Sequence, residues 1–251
     1  MTVLTLAAAQ SVSIAGDLSA NLARHQHLMG LAAQQGVQLL VFPELSLTGY
    51  EPQLVAELAL PPDSPRLQPL RNLARELKLT TVVGMPIRLS VDGPVLIGAL
   101  VLGADGSLAV YSKQHLHPGE ERVFAPGSGG APLQLGNEVL ALAVCADFCH
   151  ASHVQAAVDA GAGIYAAGVL ISEGGYAVDS ALLQGYARDH GILVLMANHG
   201  GPSGGWSCAG RSAIWGAQGQ LLGAVEGVGE ALLIAQRDGG QWRVEVRAVA
   251  G

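Results

Sequence analysis

The residues Gln38-Leu39-Leu40-Val41-Phe42-Pro43-Glu44-Leu45 run from an apolar stretch straight into a proline and a carboxylate. A short apolar run ended by proline predicts a buried strand over Gln38–Phe42. Upstream, Leu18–Gln35 places Leu18, Leu22, Leu28, Leu31 and Ala32 where they can share one helical face, and Asp17 can cap its start. Before that helix, Thr2–Ala9 reads as a first strand. Downstream, Arg66–Leu77 carries Leu67, Leu70, Leu73, Ala74 and Leu77 at helical spacing, and Thr80–Met85 reads as a third strand. The order strand, helix, strand, helix, strand predicts an α/β layered fold.

The pattern continues outward. Val95–Leu102 and Ser107–Tyr111 flank Ala104-Asp105-Gly106, a hairpin signal. Val139–Val144, Ile164–Ala167 and Ile192–Ala197 read as strands, separated by helices over Ser152–Ala160 and Ala177–His190. The end differs, with Ser212–Trp215, Gln220–Val225, Ala231–Ala235 and Trp242–Arg247 read as consecutive strands around Gly-rich turns. Ser128-Gly129-Gly130 and Pro202–Gly205 are too short to be more than connections. The expectation is one domain over residues 1–251 with mixed strands.

Composition narrows the function. The chain has 251 residues, with 20 acidic against 13 basic side chains, a net charge of −7. Half the residues are hydrophobic and 13% are charged, which excludes a disordered tail or a coiled coil. Lysine occurs only at Lys78 and Lys113, and no basic cluster exists, so no nucleic-acid partner is expected. The longest apolar runs stop far short of the roughly 18 residues of a membrane span, so no membrane partner is expected either. Met1–Gln10 lacks the basic start of a signal peptide. Three cysteines, Cys145, Cys149 and Cys208, fit a reducing compartment better than a disulfide framework. A cytoplasmic location is expected.

Three places combine a strand end with a reactive side chain. Glu44 follows the strand Gln38–Phe42, at the end where open α/β sheets bind ligands. Taken alone, it reads as a solvated loop carboxylate. Lys113 follows Ser107–Tyr111, with Glu120 and Glu121 close behind; alone it is an ordinary surface ammonium. Cys145 follows Val139–Val144, where a strand-to-helix turn exposes a thiol and frees backbone N–H groups; alone, a cysteine is commonly a buried hydrophobe. Together they fit one chemistry. A thiol needs a base, because its pKa of about 8.5 leaves it mostly protonated at neutral pH. A buried carboxylate can take that proton, and a cation can hold the oxyanion.

Phe42-Pro43-Glu44-Leu45-Ser46-Leu47-Thr48-Gly49-Tyr50, Tyr111-Ser112-Lys113-Gln114-His115-Leu116 and Cys145-Ala146-Asp147 resemble, in order, the three signatures of the nitrilase superfamily of carbon–nitrogen hydrolases. Glu120–Gly127 resembles the stretch carrying that family's second glutamate, placed at Glu120. Gly210-Arg211-Ser212-Ala213-Ile214 is similar to its late Gly-x-Ser hairpin. The resemblance implies a four-layer αββα sandwich that pairs into homodimers or larger homo-oligomers and needs no metal or organic cofactor. It implies Glu44 as general base, Lys113 as oxyanion stabiliser, Cys145 as nucleophile and the Ala146 N–H in the oxyanion site. Glu120 would orient Lys113 or the attacking water.

Two stretches depart from the family. After Cys145 the chain reads Phe148-Cys149-His150-Ala151-Ser152, and a later helix ends Tyr186-Ala187-Arg188-Asp189-His190. His150 is read either as a donor to a substrate polar group or as a cap on the following helix. Rival motifs are weaker. Gly201-Pro202-Ser203-Gly204-Gly205 matches a serine-hydrolase pattern but precedes no helix. His115 with His117, and His150 with His153, lack a third ligand, so no metal is expected. Gly161-Ala162-Gly163 with Gly168 is not a dinucleotide fingerprint. The expected activity is hydrolysis of a small-molecule amide through a Cys145 thioester. A nitrilase, an N-carbamoyl hydrolase, an acyltransferase and a Cys145–Cys149 redox sensor remain as alternatives.

Overall fold

The structure is a computed structural model and describes residues 3–249. The first half of the chain forms β1 (Leu4–Gln10), α1 (Leu18–Gln34), β2 (Leu39–Val41), α2 (Val55–Leu58), α3 (Gln68–Leu77), β3 (Thr80–Ile87), β4 (Leu96–Leu102) and β5 (Leu108–Ser112). The second half forms β6 (Leu133–Leu135), β7 (Glu138–Val144), α4 (Ala151–Asp159), β8 (Ile164–Val169), α5 (Tyr176–His190), β9 (Leu193–Asn198), β10 (Ala213–Trp215), β11 (Leu221–Ala224), β12 (Ala231–Asp238) and β13 (Gln241–Ala248). These strands make two sheets, ordered β13-β12-β1-β2-β3-β4-β5 and β11-β10-β9-β8-β7-β6. Each sheet has a parallel trio, β1-β2-β3 in one and β7-β8-β9 in the other, extended by antiparallel strands.

Alternation along the strands sets the layers. Leu4, Leu6 and Ala8 of β1 face Leu140, Leu142 and Val144 of β7 and their neighbours in one core between the sheets. Ala7 and Ala9 turn to the opposite face, against Leu28, Met29 and Ala32 of α1 and Leu70 and Ala74 of α3. Ala141 and Ala143 do the same on the other sheet, against Val154 and Ala157 of α4 and Leu183 and Ala187 of α5. The small side chains on these outer faces let the helices lie close, and the result is a four-layer αββα sandwich.

Local signals hold at most boundaries. Asp17 accepts from the Ala20 N–H at 3.0 Å and caps α1. The segment Arg66–Leu77 opens as a 3-10 turn over Pro65–Leu67, and the α-helix begins only at Gln68, since Pro65 and Pro69 suit first-turn positions. Thr2 lies outside the described residues, and the first strand begins at Leu4. The short strand β6 was not expected; it pairs with β7 through a tight turn at Gly136-Asn137. The four C-terminal strands do not stay together. β10 and β11 join one sheet while β12 and β13 join the other, so the chain crosses the sandwich at the Gly227–Glu230 turn.

Candidate active site

The two parallel trios end on the same side of the sandwich, and the site is built from the loops that leave those strand ends. Glu44 sits in the turn after β2, and its carboxyl group is buried. Two glycines make room for that turn. A Cβ at Gly84 of β3 would lie 2.6 Å from the Pro43 carbonyl oxygen, and one at Gly168 of β8 would lie 2.6 Å from that of Phe42. Leu45 then takes a left-handed φ of 51°, which turns the chain back so that Leu47 N–H reaches the Gly84 carbonyl at 2.9 Å. Two buried histidines brace the turn. His199 Nε2 donates to the Glu44 carbonyl at 2.7 Å, and His25 Nε2 accepts from the Ser46 hydroxyl at 2.9 Å. Burial lowers both imidazoles to about 4, so both are neutral at pH 7.

Lys113 follows β5 and is wholly buried, an arrangement that requires partners. Its Nζ lies 2.6 Å from Glu44 Oε1 and 2.9 Å from both oxygens of Glu120. Burial opposes its charge, but the charges of Glu44, Cys145 and Glu120 outweigh that and hold the ammonium above the ordinary lysine value. The two carboxylates are not equivalent. Glu120 also accepts from the Tyr50 hydroxyl at 3.0 Å and the His117 N–H at 2.8 Å, so both its oxygens are engaged. Among the described residues Glu44 Oε2 accepts no N–H or O–H hydrogen bond, and the Cys145 thiol is the side chain close enough to engage the carboxylate. Burial pushes the Glu44 carboxyl up to about 7 against the pull of Lys113.

Cys145 opens the 3-10 turn Cys145–Cys149 directly after β7 and has φ 42°. A left-handed cysteine is strained, by about 1–3 kcal/mol, and such strain clusters where a side chain must be presented. Its Sγ lies 3.6 Å from the Leu170 carbonyl oxygen. Burial, reinforced by the charge of Glu44, raises the thiol well above its ordinary value, so ionisation requires a nearby acceptor. The Ala146 N–H belongs to the first positions of a helical turn, which have no intrahelical acceptor. One residue further, Asp147 ties the nucleophile turn to the lysine loop. Its Oδ1 accepts the Gln114 and His115 N–H groups at 2.9 Å each, and its Oδ2 accepts the Tyr111 hydroxyl at 2.6 Å and the Val144 N–H at 3.1 Å.

Glu44, Glu120, Cys145 and Ala146 line one pocket of about 240 Å³, walled by Phe148, Leu170 and Trp206. His150 is not in it. The side chain is exposed, stacked on His115 with ring centroids 3.8 Å apart, and its backbone occupies the N-cap position of α4 without any capping bond from the imidazole. Neither expected role of His150, donor to a substrate polar group or side-chain cap of the following helix, is seen, because the 3-10 turn Cys145–Cys149 carries it to the outside. Cys149 is exposed at the pocket, and all three cysteines are free. Ser203 of the Gly-rich motif is no elbow residue, because its hydroxyl accepts the Tyr50 N–H at 2.8 Å. Sequence reasoning missed Tyr50, Asp147 and His199 as parts of the site. The first two stood inside the family signatures, and His199 follows a strand end as Glu44 and Cys145 do.

A model of the family described as carbon–nitrogen hydrolase matches residues 5–244. The chain belongs to this family, within the nitrilase superfamily. An amidase from Nesterenkonia sp. AN1 has the same fold. One variant of it, with a glutamate replaced by glutamine and acrylamide added to its active-site cysteine, superposes with a TM-score of 0.82 at 31% identity, over 92% of each chain. A second variant, with a cysteine replaced by alanine and in complex with butyramide, superposes with a TM-score of 0.84 at 30% identity, over 94% of this chain and 92% of that one. A nitrilase from Pyrococcus abyssi is 33% identical over 134 residues, 51% of this chain and 50% of its own length. A glutamine-dependent NAD(+) synthetase from Thermotoga maritima is 29% identical over 156 residues, 60% of this chain but only 27% of its own length. The matches thus span half or less of these two curated relatives. Among the described residues, no helix is long and apolar enough to cross a membrane.

Proposed function

We propose that this protein hydrolyses small-molecule amides through a Cys145 thioester, with Glu44 as the proton carrier. The observation that carries the reading is the unequal engagement of two glutamates around one buried lysine. Glu120 spends both oxygens on Lys113, Tyr50 and His117, whereas Glu44 keeps Oε2 unpartnered in the pocket that Cys145 lines. Glu120 therefore positions Lys113, and Glu44 is the carboxylate with capacity for a proton.

In the first half-reaction Sγ attacks the amide carbon, and its proton moves to Glu44 Oε2. A carboxyl group raised to about 7 is a stronger acceptor for the thiol proton than an ordinary carboxylate and still returns it readily to the leaving amine. The carbonyl electron pair moves to oxygen, where the Lys113 ammonium and the Ala146 N–H stabilise it. Collapse breaks the C–N bond, and the amine leaves with the proton that Glu44 returns. Water then attacks the thioester, again giving its proton to Glu44; the C–S bond breaks to release the acid, and Glu44 returns the proton to the departing Cys145 sulfur. A pocket of about 240 Å³ takes roughly eight to ten heavy atoms, which suits a short amide. The amidase that binds butyramide supports the same substrate class.

The test is ammonia release from a panel of short amides, ω-amides, N-carbamoyl compounds and nitriles, with Cys145→Ala as control. Release from amides by the wild type alone is expected. Release only from nitriles or carbamoyl compounds would move the substrate class. Acyl transfer to an amine without release in water would make the protein a transferase. Formation of at least a homodimer belongs to the same proposal, and a monomer mass at all concentrations in light scattering would overturn it.

A further inference from the structure

The pocket holds one acidic side chain that the proposed chemistry leaves without a task. Asp179 lies in the first turn of α5, half-buried, and lines the pocket together with Cys149 and His117. Neither of its oxygens makes a hydrogen bond or ion pair among the described residues. The chain around it fixes its place: Asp179 N–H donates to the Gly175 carbonyl at 3.1 Å, and a Cβ on Gly175 would come within 3.1 Å of Asp179 Oδ2. The carboxyl thus folds back over the Ser172–Gly175 turn, and both ends of that turn line the same pocket.

The charge balance of the pocket gives this carboxylate a meaning. Lys113, buried behind the pocket wall, is already held by Glu44 and Glu120, so that cation is matched by two acids before Asp179 is counted. His117 faces Asp179 closely enough to favour its charged form. No arginine lines the pocket among the described residues. Burial raises the Asp179 carboxyl, the signature of a charge removed from water without a fixed partner. A cation delivered by the substrate would restore that partner, while a substrate carboxylate would meet like charge.

We infer that Asp179 selects amides whose end remote from the scissile carbonyl carries a positive charge, as in a short amine-bearing aliphatic amide. This deepens the amidase reading and rests on it. Asp179 is a specificity residue here, away from the reacting atoms.

The experiment compares three amides of similar size at pH 7.5: cationic 3-aminopropanamide, neutral butyramide and anionic malonamate. In the wild type, kcat/KM is expected to be about tenfold higher for the cation than for the neutral isostere, and lower still for the anion. Asp179→Asn should collapse that ratio toward one, and Asp179→Lys should turn it toward malonamate. Raising the salt from about 0.02 M to about 0.5 M should shrink the wild-type ratio, a reading that needs no variant to fold. A second arm does not depend on turnover. Cys145 is alkylated with N-(2-aminoethyl)chloroacetamide or with its neutral isostere N-propylchloroacetamide, each rate being normalised to a free thiol. The thiolate displaces chloride, the C–S bond forms as C–Cl breaks, and the thiol proton passes to Glu44. Fragmentation of the peptide between residues 145 and 149 assigns the adduct to Cys145 rather than to exposed Cys149, since no Lys or Arg separates the two. Failure of every amide would sink the amidase reading, yet the alkylation ratio would still decide the role of Asp179. Equal rates for charged and neutral partners in either arm, or a ratio unmoved by Asp179→Asn, would overturn the inference.

Discussion

Two buried polar clusters flank the turn that begins at Cys145, and they are built on opposite principles. On the pocket side stand Glu44, Lys113 and Glu120, with Glu44 Oε2 and, behind it, His199 Nδ1 left unpartnered. On the far side stand Asp147, Tyr111, His153 and Tyr165. There the Tyr111 hydroxyl donates to Asp147 and lies 2.7 Å from His153 Nε2, and His153 Nδ1 lies 2.8 Å from the Tyr165 hydroxyl. Among the described residues, no buried side-chain polar atom of that second cluster is left over. A satisfied network fixes geometry and has nothing to gain from a proton or a ligand. An unsatisfied acceptor beside a raised carboxyl is costly to maintain, and such a cost is expected where chemistry happens. The far cluster holds the lysine loop against the nucleophile turn so that the near cluster can stay incomplete.

The largest effect that sharpens this contrast is on rate. Glu44→Gln keeps the shape but removes the proton acceptor, so kcat with the best amide should fall by at least about 10³-fold. A loss under tenfold would mean that Glu44 is not the base. Asp147→Asn comes next and should act chiefly on folding. It exchanges one acceptor oxygen for a donor that faces either two N–H groups or the Tyr111 hydroxyl and Val144 N–H, so about 2–4 kcal/mol of stability should be lost in urea unfolding. If Asp147→Asn abolished activity with unchanged stability, the two clusters would not divide the work as described.

A smaller effect separates the clusters by pH. The Glu44 carboxyl rises from 4.5 to about 7 on folding because it is buried. The folded state therefore binds more protons than the unfolded chain between those values, and the associated stability is full below about 4.5 and lost as pH rises through about 7. Glu44→Gln removes that loss, so its melting temperature should climb relative to wild type between pH 5 and pH 8. His25 and His199, lowered to about 4, act in the opposite sense in both proteins, because their contribution is lost as pH falls from about 6.5 toward 4. The difference between the two melting curves cancels them and isolates Glu44. A difference that stays flat with pH would refute the raised carboxyl.

The contrast also explains what the sequence revealed. Period-two alternation in β1 and β7 and helical spacing in α1 and α3 are local, and they indicated the layers directly. Glu44, Lys113 and Cys145 were visible as a set, because each stands within three residues of a strand end and the three side chains fit one chemistry. The sheet exchange between β11 and β12 was not visible, since four short strands around glycines look alike whichever sheet they join. Nor was the dense set of bonds at Asp147, because its partners are backbone N–H groups that no side-chain pattern announces. His150 illustrates the opposite failure: it was read as a substrate donor or a helix cap, and one tight turn leaves its imidazole exposed with neither role.

The smallest predicted effect bears on the motif that sequence alone set as a rival. Ser203 sits in a Gly-x-Ser-x-Gly stretch, and a nucleophilic serine replaced by alanine would abolish turnover. Its hydroxyl instead accepts the Tyr50 N–H at 2.8 Å, and Tyr50 donates to Glu120, which holds Lys113 at 2.9 Å. Gly204, with φ 57°, lets the Tyr50 carbonyl approach too closely for any Cβ. Ser203 is thus three contacts from the ammonium, and each contact transmits only part of a displacement. Ser203→Ala should leave the Tyr50 N–H unpaired, lower stability by about 1–2 kcal/mol, and reduce kcat/KM by roughly three- to tenfold. Tyr50→Phe, which removes the contact nearer to Glu120, should reduce it by at least as much. If Ser203→Ala were inactive while Tyr50→Phe retained full activity, the chain of contacts through Glu120 would be wrong, and the serine itself would have to touch the substrate.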